Sequence, residues 1–185
     1  MEAFTHLSIL LSIIIGLGIT ELLTGLGRLI ERRAQARVYP PALSWVLFLL
    51  VVYVQTWWTD YGLRSHDQWT FLQFSVVLLQ PITLYLLSVL ALPHGPSELD
   101  LRANYFGHRR WFFGLFALLP LVSILKDLVV RHSLPSGLNL AFHGLLFMVA
   151  CVGVIARRDS LHQTLAYSAL LALLVYIALL FARLI

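Results

Sequence analysis

A chain of 185 residues that is 59% hydrophobic and only 12% charged is too poor in charge to cover a soluble globule, in which roughly a quarter of residues are charged. In water its surface would be one apolar patch, whereas a bilayer satisfies that surface, so the composition predicts an all-α polytopic membrane bundle. The net charge of +4 is no nucleic-acid signal, because the arginines fall in short connections between apolar runs, where they orient the chain.

A helix needs about 20 apolar residues to cross a bilayer, and six stretches reach or approach that length. The first, over 4–27, follows no basic leader and reads as a retained span rather than a cleaved signal. Ser8, Ser12, Gly16, Thr20 and Thr24 recur every four residues along it. Such a small-residue ridge suits close helix packing or a polar path. Glu21 lies roughly 7.5 Å from the middle of this span at 1.5 Å per residue. An acid at that depth reads as an ion, proton or ligand site, or as a carboxylate satisfied by Thr20, Thr24 or another helix. Gly18 and Gly25 flank Glu21 on its own face and invite a close neighbour. The span is therefore expected inside the bundle or at an interface between copies.

The second span, 42–59, opens at Pro41, which a first helical turn tolerates because its missing N–H has no partner there. It carries Gln55 and ends near Trp57, Trp58 and Asp60, with His66 and Asp67 beyond. The third, 69–92, places Gln73 and Gln80 on one face and holds Pro81, which deprives the helix of one hydrogen bond. Membrane glutamines mostly join helices. The connection 93–110 is expected to carry a short interfacial helix capped within 97–100.

The fourth span, 111–130, holds Pro120 and leads into Lys126, Asp127, Arg131 and His132. The fifth, 138–155, places Asn139 and His143 four apart on one face, and the lone Cys151 reads as packing material. The sixth, 161–185, shows a capping-box pattern at Ser160 and Gln163. Its sparse polar residues predict a peripheral helix.

Arg28, Arg32, Arg33, Arg37, Arg102, Arg109, Arg110, Arg157 and Arg158 fall on one side, against Arg64, Lys126, Arg131 and Arg183 on the other. The richer side is expected to be cytoplasmic. Both termini then lie outside, in what reads as a bacterial inner membrane.

The candidate transport or ligand residues are Glu21, Thr20, Thr24, Gln80, His143, Asn139 and Asp127. A gathering of His6, Asp60 and His143 at the outward end could ligate a metal, or frame a haem or quinone headgroup. No specific cofactor is implied, and phosphate-binding, dinucleotide and nucleophile-elbow motifs are absent. The leading expectation is an oligomeric channel or small transporter with the polar groups of the first span along its path, and not an enzyme. The alternatives are a membrane redox protein or enzyme using the outward histidines and carboxylates, and a sensor or partner subunit of a membrane complex. The expected partners are the lipid bilayer and further copies or a membrane subunit, with no nucleic acid.

Overall fold

The computed structural model describes residues 2–66, 68–94 and 100–180. Its helices are α1 (Glu2–Glu31), α2 (Pro40–Asp60), α3 (Phe71–Ala91), α4 (Leu101–Arg131), α5 (Gly137–Ile155) and α6 (Asp159–Leu180), with a 3-10 turn at Tyr61–Ser65. Among the described residues the only β-type pairing is an isolated bridge between Arg37 and Asp100. All six helices are long and apolar enough to cross a membrane, as a multi-pass membrane protein requires.

Local chemistry explains three of the helix starts. Pro40 and Pro41 occupy the first turn of α2. Thr70 caps α3 through a reciprocal pair in which Gln73 N–H donates to Thr70 Oγ1 and Thr70 N–H to Gln73 Oε1, the capping-box geometry. The Gln73 amide then donates to the Val129 carbonyl of α4, at 3.3 Å. One glutamine thus starts one helix and ties it to the next. Asp100 caps α4 by accepting from the N–H groups of Arg102 and Ala103.

Two boundaries differ from expectation. The interfacial helix foreseen between the third and fourth spans is instead the first turns of α4, which runs unbroken for 31 residues. That is roughly 46 Å at 1.5 Å per residue, well beyond the ~30 Å hydrocarbon layer. Residues 97–99 lie outside the described part. Ser160 lies inside α6 rather than ahead of it, so its pattern with Gln163 does not start the helix.

α4 packs between α3 and α5, α1 packs on α3, and α2 on α6. The core between α2 and α4 is aromatic. Trp45 meets Phe112, Phe113 and Phe116 edge-on, with centroids 5.0–5.7 Å apart, the arrangement that ring quadrupoles favour. Gly153 of α5 lies against the Phe113 ring, where any Cβ would collide. α6 buries one stripe, His162, Ala166, Ala169, Leu173 and Tyr176, and exposes Leu171, Leu174 and Val175. It is peripheral, with Tyr176 turned into the bundle.

The loops sort to two ends. At one end Arg37 pairs with Asp100 at 3.6 Å and Arg102 with Asp159 at 2.7 Å. Tyr39 donates to that same Asp159, and burial, then the neighbouring carboxylate, push its phenol up to about 12. At the other end Lys126 meets Asp60.

Candidate functional site

Among the described residues two polar clusters within the bundle stand out, and their spare hydrogen-bonding capacity separates them. The first sits toward the arginine-rich end. Trp45 Nε1–H donates to Tyr105 Oη at 3.3 Å, and Tyr105 O–H donates to His162 Nδ1 at 2.9 Å. His162 Nε2 lies 3.0 Å from the Ala156 carbonyl. A carbonyl only accepts, so Nε2 carries a proton, and with Tyr105 donating to Nδ1 both nitrogens are used. His162 is fully buried among the rings of Tyr105, Phe106 and Phe113. This network pins α2, α4 and α6 together. The adjoining cavity, beside His108 and Arg109, has about 10 Å³, room for about one water.

The second cluster surrounds a larger cavity of about 110 Å³ that reaches inward from the opposite end. Its walls follow from helical spacing. α2 supplies Phe48, Val52, Gln55 and Thr59, and α4 supplies Leu119, Pro120, Ser123, Lys126, Asp127 and Arg131. α5 supplies Asn139, Phe142, His143 and Leu146. Steps of three and four keep each set on one face. Gln80 of α3 and Leu173 and Tyr176 of α6 complete the wall. The α2 lining runs from Thr59 inward to Phe48, so the cavity descends roughly 16 Å along α2 at 1.5 Å per residue. Pro120 also lines it. A proline that withholds its N–H from the helix is tolerated at membrane depth where the backbone borders a cavity.

The polar groups here are only partly satisfied. Lys126 Nζ donates to Asp60 Oδ1 at 3.0 Å, with both side chains nearly buried, while Asp60 Oδ2 is buried without a partner. The Gln80 amide donates to Thr56 Oγ1 at 3.2 Å, but Gln80 Oε1 is also buried and unpartnered. His143 Nδ1 lies 2.6 Å from the Asn139 carbonyl, so that nitrogen donates, which in a neutral ring leaves Nε2 as an acceptor. Tyr176 O–H donates to Asn139 Oδ1 at 2.8 Å, and its ring stacks on Phe142 with centroids 3.9 Å apart. Near the mouth, Asp127 faces Arg131 at 3.5 Å.

Four of the residues that the sequence singles out, Gln80, Asp127, Asn139 and His143, therefore line one cavity. Glu21, Thr20 and Thr24 lie elsewhere. Glu21 Oε1 meets His94 Nε2 at 2.8 Å, a partner from just beyond α3 rather than Thr20 or Thr24. Gly18 receives the Tyr53 ring and Gly25 the Leu92 side chain, so both glycines do admit close neighbours. Thr20 and Thr24, with Ser12 and Gly16, face out of the protomer. Among the described residues no three His, Cys, Asp or Glu side chains form a group that could hold a metal ion. His6 is exposed, Asp60 is taken by Lys126, and Asp67 lies outside the described residues.

Sequence reasoning placed Lys126 and Asp60 on the same rim but not in one pair, overlooked Ser123, and left the mid-span Tyr176 of the sixth helix without a partner. A usable signal existed for α4. Ser123, Lys126, Asp127 and Arg131 repeat at helical spacing, continuing a face begun by Leu119 and Pro120. Nothing local marked Tyr176, since its partner Asn139 is 37 residues away.

Comparison of this chain with known protein families, curated proteins and solved structures finds no match.

Proposed function

We propose that this protein is a small membrane transporter that holds its solute in the cavity among α2, α3, α4, α5 and α6. One observation carries the reading: the cavity reaches membrane depth and keeps a buried acceptor, Gln80 Oε1, without a donor. A buried acceptor without a donor costs about 1–3 kcal/mol, a cost that a bound solute or water relieves. Intramembrane polar residues facing a cavity commonly mark a solute pathway. The path on this reading runs through the protomer rather than along the polar ridge of α1.

That ridge has a separate role in the proposal. Ser12, Gly16, Thr20 and Thr24 are exposed, and nothing lies within 4 Å of where a Gly16 Cβ would be. A small-residue face of this kind suits a second copy of the chain, so the protein is proposed to work as a homo-oligomer. On the same reading the arginine-rich end lies in the cytoplasm of a bacterial inner membrane and the cavity mouth outside, an orientation supported by the loop charges.

Thiol labelling tests cavity and orientation together. In a Cys151→Ser background, Ser123→Cys should react with a membrane-impermeant methanethiosulfonate added outside intact cells. Ser123 lines the cavity, about 12 Å inside the end of α4. Reaction from neither side would remove the cavity reading, and reaction only in inverted vesicles would reverse the orientation. A C-terminal reporter active only in the cytoplasm would likewise contradict the outward termini.

A further inference from the structure

The cavity does not end at its polar wall. Gln55 also borders a second, shallower cleft of about 440 Å³ between α2 and α6. Apart from Gln55 and the Trp58 indole, its lining is aliphatic: Leu50, Val51, Val54, Leu174 and Ile177. Val54 and Leu174 are exposed on the outside of the bundle, the side that faces lipid. Gln55 thus borders both a polar chamber inside the protein and an apolar cleft open to acyl chains.

Resting on the reading of the chamber as a binding site, we propose that its ligand is a single-chain amphiphile that enters sideways from the outer leaflet. Its tail lies in the α2–α6 cleft and its head passes Gln55 into the chamber. The chemistry of the head follows from what the chamber lacks. Asp60 is matched by Lys126, and Asp127 by Arg131, so the fixed charges cancel in pairs and favour no ionic head. The one buried atom that borders the chamber without a partner among the described residues is an acceptor, Gln80 Oε1, and the neutral His143 ring, with Nδ1 donating to Asn139, offers Nε2 as a second. An uncharged head bearing hydroxyl donors answers both. Burying such a head beside acceptors, with its chain in an apolar cleft, satisfies each end of the molecule in the medium it prefers.

The probe is a monoacylglycerol with a photoreactive diazirine on its chain, photolysed with the protein in lipid nanodiscs and mapped by mass spectrometry. Saturable adducts are expected within 50–58 and 174–177, competed by unlabelled monoacylglycerol but not by a fatty acid or an alkane of equal length. Val54→Trp and Leu174→Trp each fill the cleft from a lipid-exposed position and should remove the saturable adducts. Gln80→Leu should weaken competition by about tenfold, the loss of one hydrogen bond. Unlabelled monoacylglycerol, and not glycerol, should also protect Ser123→Cys from the thiol reagent. Non-saturable labelling spread over all lipid-facing helices, or equal competition by the fatty acid, overturns the proposal. If Ser123→Cys still reacts in that case, the chamber reading stands and only the lateral amphiphile is lost; an unreactive Ser123→Cys removes the chamber reading itself.

Discussion

Lys126→Met is expected to destabilise the protein by about 3–5 kcal/mol, the range found when one partner of a buried ion pair is removed. Asp60 is 5% exposed and Lys126 8%. They meet through the 3.0 Å bond from Nζ to Oδ1, and Asp60 Oδ2 already lacks a partner. Without the ammonium, a carboxylate remains in a low-dielectric site with nothing to offset its desolvation. The pair is not itself a large source of stability, because burying both charges costs nearly what their attraction returns. Combining Lys126→Met with Asp60→Asn should therefore recover most of the loss, since no charge is then stranded. Thermal unfolding of the purified protein in detergent, run as a double-mutant cycle, checks this. A Lys126→Met protein as stable as the parent would mean that water reaches Asp60 freely and that the pair is not enclosed.

Gly18→Leu is expected to be the most damaging glycine substitution in α1, while Gly16→Leu leaves the protomer intact. A Cβ at Gly18 would run into the Tyr53 hydroxyl and ring. Tyr53 has no room to yield, being fully buried and bonded through its hydroxyl to Ser88 at 2.9 Å. Overpacking costs about 1–3 kcal/mol, and parting the Tyr53 hydroxyl from Ser88 adds about 1–3 kcal/mol for the buried phenol left unpaired, while Ser88 keeps its bond to the Leu84 carbonyl. Gly16 has open space before it. If the outer ridge joins copies, Gly16→Leu lowers the oligomeric state seen by light scattering without changing the unfolding midpoint of the protomer. Loss of protomer stability in Gly16→Leu, with Gly18→Leu silent, would mean that α1 is rotated relative to its packing here. From spacing alone Gly16 stands at the centre of the ridge and is the natural packing point; Gly18, off that ridge, is the residue the fold uses.

Hydrophobic run length and charge scarcity determine the six helices, because a span must satisfy its backbone internally over about 20 apolar residues wherever its neighbours lie. The alternation of loops between two ends follows from the same count, and the contacts of Arg37 with Asp100 and of Lys126 with Asp60 agree with it. Periodicity within one helix was legible too. Asn139 and His143 share a face, and both line the cavity. What the chain alone leaves open is which faces meet. Every helix here is apolar on most sides, so hydrophobicity does not say which stripe looks inward, as it would in a soluble bundle. That choice rests on shape and on hydrogen bonds between distant segments: Tyr53 seated on Gly18, Phe113 on Gly153, His94 on Glu21, Tyr176 on Asn139. The tertiary packing therefore decided that Glu21 is paired near the arginine-rich end, and that Thr20 and Thr24 look outward. It also decided that Gln80, Asp127, Asn139 and His143, drawn from three helices, surround a single chamber.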